Sequence, residues 1–320
     1  PSLLTIHHLA YQGVFQRGAL DAIGLPPQLF TMDYLEFYGR MNFLKGGIIY
    51  ADYLTTVSRR YAEEIKTSEY GAGLEGVIRN RGERLVGILN GVDYAAWSPE
   101  ADPLIAQNYS IHNMAGKKAC KKDILAQFKL PEENLDRPLA GSISLFVDQK
   151  GFDLFVERAV ERALENIAII AFGTGQPAYE KMFKEFAERH PDKVAVKIGF
   201  DNTLAHRIEA GSDIFLMPSR YEPCGLNQIY SLRYGTVPIV RRTGGLADSV
   251  ELYEPETGEG TGIVFEDFAS EALEWALNTA LDLYAQPEHW RRMVRNGMAK
   301  DFSWEKQGGK YVEIYRRLAG

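Results

Sequence analysis

Residues 213–250, DIFLMPSRYEPCGLNQIYSLRYGTVPIVRRTGGLADSV, constrain the fold of this chain more than any other stretch. The run Asp213 to Met217 is short and apolar enough to be a buried parallel strand, and the Pro218-Ser219 turn stops it. Glu222 and Pro223-Cys224-Gly225 follow, then a helical pattern over 226–234 ended by Gly235. A second buried strand, Val237 to Val240, leads into Thr243-Gly244-Gly245-Leu246. The unit reads as strand, loop, helix, strand, glycine loop. Open α/β sheets bind ligands at the edge where such loops emerge, and helix starts favour anions such as phosphate. The backbone N–H groups of Gly225, Leu226, Thr243, Gly244 and Gly245 are therefore the expected phosphate cradle. One carboxylate, Glu222, stands among them.

The chain has 320 residues, room for two domains with a core each. A net charge of −7 argues against nucleic-acid and anionic-membrane partners, both of which want a basic face. No apolar run approaches a membrane span. Two cysteines, Cys120 and Cys224, are too few and too far apart for a disulfide framework or a zinc site. A reducing cytoplasm or plastid stroma fits better than secretion. The chain enters directly on a strand, Leu3 to Ile6, which suggests that an amino-terminal part of the first sheet is missing.

EPCGLNQ (222–228) and RRTGGLAD (241–248) resemble the signature of bacterial glycogen synthases and plant starch synthases. FLKGG (43–47), TTVS (55–58), ILNG (88–91) and QKG (149–151) extend the resemblance over residues 5–315. It implies an α/β chain of two facing Rossmann-like domains, the B-type glycosyltransferase fold, with the first domain incomplete. It also implies glucosyl transfer from ADP-glucose or UDP-glucose to the non-reducing end of an α-1,4-glucan, with retention and without a metal or other cofactor. On this resemblance Glu222 stabilises the developing charge, with His7 beside the donor sugar. Asn90 holds the donor glucose, Lys150 grips the nucleotide phosphates, and Phe200 stands where an aromatic lies on the base. Tyr230 occupies the position where wider relatives hold the ribose with a Glu. Read from the residues alone, His7 is equally a strand-end histidine, Asn90-Gly91 a tight turn, and Phe200 a packing residue.

Three departures favour an alternative, an inactive or weakened fragment that only binds nucleotide or glucan. Leu145 stands where the family has an Arg on the phosphates. His8 stands where Asn is usual, and the family's lysine–glycine–glycine loop is absent.

The expected organisation is 1–115 as the rest of the first domain, 116–303 as the nucleotide-sugar domain, and 304–320 as a last helix crossing back to the first. Gly308-Gly309 inside that helix predicts fraying. Lys117 to Lys122, and His206 with Arg207, read as solvated helix faces. Gly173-Thr174-Gly175-Gln176-Pro177-Ala178 has the form G-x-G-x-x-A, but the next strand ends in Gly199-Phe200 and not in the acid an NAD site wants. Those glycines read as a tight turn. No lysine in a recognisable setting for pyridoxal phosphate supports a phosphorylase.

Overall fold

The structure is a computed structural model and describes residues 1–156 and 158–320, with side chains described outside 156–159. It divides into two compact units, residues 1–90 with 307–320, and residues 91–306.

The first unit begins with β1 (Leu3–Ile6), β2 (Val14–Phe15), α1 (Gly18–Ala22), β3 (Glu36–Phe37) and β4 (Arg40–Asn42). It continues with α2 (Phe43–Tyr50), β5 (Tyr53–Thr56), α3 (Arg59–Glu64), α4 (Glu75–Arg79) and β6 (Leu85–Gly87). β1, β5 and β6 form a parallel sheet in that order, and β2, β4 and β3 a small antiparallel one. Polar residues in FLKGG and TTVS have local reasons. Asn42 caps α2 by accepting the Lys45 N–H at 2.9 Å, and Ser58 caps α3 by accepting that of Tyr61 at 3.1 Å; such caps stabilise by about 1 kcal/mol each. The buried Lys45 amine donates to the carbonyls of Met32 and Glu36 and so ties down the 32–36 loop. Burial lowers its pKa.

The second unit contains α5 (Ala115–Gln127), β7 (Leu139–Phe146), α6 (Arg158–Ala163), β8 (Ala168–Gly175), α7 (Pro177–Arg189), β9 (Val194–Ile198), α8 (Asn202–Gly211) and β10 (Ile214–Met217). α9 (Asn227–Arg233), β11 (Val237–Arg241), α10 (Gly244–Ser249), β12 (Ile263–Phe265), α11 (Ser270–Tyr284) and α12 (Pro287–Met298) complete it. Its six strands are all parallel in the order β12-β11-β10-β7-β8-β9. Alternate strand residues serve opposite faces. Ile169 and Ala171 join Phe146, Phe183 and Leu277 in one core, while Ala168, Ile170 and Phe172 join Ile124, Leu204 and Ile208 in another. With both faces covered, the strands are largely apolar, and each buried Leu, Ile or Phe contributes roughly 1.5–3 kcal/mol. Chain order runs outward from β7 to β9 and then returns to β10 beside β7. The order reverses between β7 and β10, which opens a crevice at their carboxyl ends.

The division falls at 90/91, earlier than the expected 115/116. Residues 91–114 look like a linker because Trp97-Ser98-Pro99 breaks the pattern, yet they are anchored in the second unit. Buried Asp102 accepts from His206 Nδ1 at 2.8 Å and from the Tyr234 hydroxyl at 2.5 Å, and the Tyr109 hydroxyl donates to the Tyr234 carbonyl at 2.8 Å. His206 is therefore buried, not solvated. Lys121 is buried against Asp213 at 2.7 Å, and Lys117 reaches three acceptors inside the unit. Gly173 and Gly175 do not form a turn: they continue β8, where they lie close against the backbone of Ser144 and Phe146. The last helix, α13 (Trp304–Ala319), is continuous through Gly308-Gly309, and its residues from Gln307 group with the first unit. No helix of the described residues is long and apolar enough to cross a membrane.

Candidate functional site

The reversal in strand order decides which side chains meet. The loop after β7 carries Lys150 and the loop after β10 carries Glu222. They are 72 residues apart, yet Lys150 Nζ lies 2.6 Å from Glu222 Oε2. Gly151 allows this approach: at φ +70° it packs so closely that a Cβ would stand 2.0 Å from the Pro218 carbonyl oxygen. The Ser219 hydroxyl donates to the same carboxylate oxygen at 3.1 Å. Glu222 and Ser219 are buried and Lys150 is half-buried. Ser219 was not singled out from sequence, although its place three residues before Glu222 in the tight turn is the signal that could have found it.

Behind Glu222 the start of α10 packs flat on the loop. At Gly244, with φ +42°, a Cβ would lie 1.9 Å from the Glu222 carbonyl oxygen, and that oxygen accepts the Gly245 N–H at 2.9 Å. The Thr243 N–H is taken by the Arg241 carbonyl at 2.9 Å. Two of the five N–H groups expected in the cradle are thus taken by backbone carbonyls, one of them that of Glu222. Gly225, at φ +68°, and Leu226 stand at the start of α9.

Leu145 and Phe200 lie on the carboxyl edge of the same sheet, with 59% and 92% of their surface exposed. Leu145 is in register with Thr174 on β8, and Phe200 follows β9. Tyr230 lies flat against Trp97, with ring centroids 3.9 Å apart and planes 7° apart, and Trp97 also stacks on His206 at 3.6 Å. Burial pushes the Tyr230 hydroxyl up to about 12. Trp97 gives no sequence signal for this role, because it lies 133 positions before Tyr230. Cys224 is buried. His7 and Asn90 belong to the first unit, where His7 is exposed just past β1 and Asn90 half-buried past β6.

The doubly wound parallel sheet of the second unit is an architecture found in B-type glycosyltransferases. The same fold is seen in sucrose-phosphate synthase from Thermosynechococcus elongatus, at a TM-score of 0.61 and 20% identity over 99% of this chain and 67% of that one. Residues 123–298, more than half of the chain, match the family model of the glycosyl transferases group 1, and the chain belongs to that family. Residues 1–80 match the starch synthase catalytic domain. The chain is 50% identical to a glycogen synthase of Koribacter versatilis over 98% of its own length and 65% of that protein's. The catalytic domain of starch synthase IV from Arabidopsis thaliana, solved with ADP and acarbose, superposes at a TM-score of 0.92 with 34% identity, over 98% of this chain and 66% of that one. The chain thus spans about 65% of the length of the curated relatives it matches.

Proposed function

We propose that this chain carries the donor half of a retaining glucosyltransferase that moves glucose from ADP-glucose, or UDP-glucose, to the non-reducing end of an α-1,4-glucan. The observation that carries the reading is the Lys150–Glu222 pair at the switch point of a chain half-identical to a glycogen synthase. Retaining transfer passes through an oxocarbenium-like state, and a fixed carboxylate near the anomeric carbon stabilises it. Glu222 suits that task, because Ser219, Lys150 and the Gly245 N–H hold it in one place. Lys150 is the cation for the donor's diphosphate and changes partner when donor binds. Gly225 and Leu226 supply backbone donors, with Thr243, Gly244 and Gly245 shaping the loop. Phe200 offers its exposed ring to the base, and Tyr230, backed by Trp97, borders the ribose. His7 and Asn90 are the residues proposed to contact the donor sugar. The protein works in the cytoplasm or the plastid stroma.

Leu145 favours a second reading, a weakened fragment that binds nucleotide without efficient transfer, since an exposed leucine stands where a phosphate-binding Arg is expected. One experiment separates the two: ADP-glucose is supplied with a maltooligosaccharide and ADP release is followed. Release that disappears in Glu222→Gln supports the transferase. ADP binding without release supports the fragment, and neither binding nor release overturns both.

A further inference from the structure

Behind the loop that carries Glu222, the Glu209 carboxyl on α8 is fully buried. Its Oε2 lies 2.7 Å from the hydroxyl oxygen of Ser231 on α9, and its Oε1 has no hydrogen-bond partner. The same hydroxyl lies 2.8 Å from the carbonyl oxygen of Asn227, four residues earlier in α9. A serine hydroxyl carries one hydrogen, which it either divides between these two oxygens or gives wholly to one of them when the carboxyl brings a hydrogen of its own. A neutral carboxyl brings that second hydrogen, and it suits a fully buried group whose other oxygen has no partner. Serine inside a helix commonly donates to the carbonyl four residues back, so the direction is Glu209 to Ser231 to Asn227.

The surroundings fit a neutral acid. The nearest cation, Lys117 on α5, gives its three hydrogens to the Ala210 carbonyl at 3.2 Å, the Tyr234 carbonyl at 3.0 Å and Thr236 Oγ1 at 2.9 Å. It therefore has none left for Glu209. The hydroxyls of Tyr109, Tyr230 and Tyr234, which also feel Glu209, are all raised by burial and so uncharged. Burial pushes the Glu209 carboxyl up to about 8, against the opposing pull of Ser231 and Lys117.

We infer that Glu209 is a positioning residue for the nucleotide-sugar site: a neutral buried acid whose hydrogen starts a relay through Ser231 that fixes the first turn of α9. This rests on the reading of the site given above. Asn227 is the first residue of α9, directly after Gly225-Leu226, and its side-chain amide donates to the Ile143 carbonyl of β7 at 2.7 Å. The relay therefore ties α8, α9 and β7 together beneath the loop that presents Glu222. When Glu209 ionises, Ser231 has to turn its only hydrogen to the carboxylate, and the Asn227 carbonyl loses that bond.

The test compares the wild-type chain with Glu209→Gln, whose amide N–H replaces the acid O–H. The infrared difference spectrum between them at about pH 7 should contain a protonated-carboxyl band belonging to wild type. In calorimetric titrations, E209Q should bind ADP within about threefold of wild type at about pH 7 and keep that affinity at about pH 9.5, where wild type loses at least about tenfold. Lys117 titrates in both proteins, so the difference between them isolates Glu209. A missing band overturns the neutral acid, and matching ADP affinities at both pH values overturn the positioning role. If neither protein binds ADP while the band is present, the nucleotide reading of the site falls and the positioning role with it. Should E209Q fail to fold, wild type decides alone: the band should bleach between about pH 7 and about pH 9.5, and a band that persists overturns the inference.

Discussion

The Lys150 amine sits 2.6 Å from Glu222 Oε2, across the point where the strand order of the second unit reverses. Neither loop presents this pair by itself. The β7 loop turns back at Gly151, the β10 loop turns at Pro218-Ser219, and α10 seals Glu222 from behind. A lysine held by a carboxylate is available to a diphosphate that offers more negative charge. A carboxylate freed of its lysine can in turn face a developing cation.

Glycine at 244 is a steric requirement. A Cβ there would meet the Glu222 carbonyl oxygen at 1.9 Å, with backbone that side chains rarely adopt. Gly244→Ala is expected to lower stability by about 2 kcal/mol or more and to weaken ADP binding, as read by urea unfolding and calorimetry.

Glycine at 308 has no such duty. It lies inside the continuous α13, and nothing stands within 4 Å of where its Cβ would be. Gly308→Ala should raise stability by up to about 1 kcal/mol in urea unfolding.

Glu209 also makes a prediction about stability against pH. Burial raises its folded pKa from the ordinary 4.5 to about 8, so between those values the folded chain binds more protons than the unfolded chain. Stability from this group is complete below about 4.5 and is lost as pH rises towards 8. Wild type should therefore lose stability relative to E209Q across that window and show a constant difference above it. Lys117, lowered to about 8 by burial, acts with the opposite sign between about 8 and its ordinary value of 10.5, in both proteins alike.

The parallel sheet of the second unit was legible because its strands are buried on both faces and read as apolar runs between glycine and proline signals. Glu222 was legible from its place between a strand and a helix, and Lys150 from its motif. Their contact was not, since it depends on β10 returning beside β7. Charge misled the reading elsewhere. Lys117, Lys121 and His206 look solvated by pattern, but their partners, the Tyr234 carbonyl, Asp213 and Asp102, come from distant elements. The boundary moved to residue 90 for the same reason: Asp102, Tyr109 and Trp97 are invisible as anchors until α8 and α9 are in place.

Leu145 is the departure with the largest expected effect on binding. It is exposed at the end of β7, on the strand whose loop carries Lys150. A guanidinium there adds one or two charge-assisted hydrogen bonds of roughly 1.5–3 kcal/mol each. Leu145→Arg should tighten ADP binding at least about tenfold and steepen its salt dependence.

The most direct test of the account is a calorimetric titration of ADP into the wild-type chain and into Lys150→Ala. Wild type should bind ADP, and the variant should stay folded but bind at least about tenfold more weakly, the loss expected for one charged contact. A wild-type chain that does not bind ADP, or a Lys150→Ala variant that binds it equally well, would contradict the claim that the β7–β10 crevice is the nucleotide site.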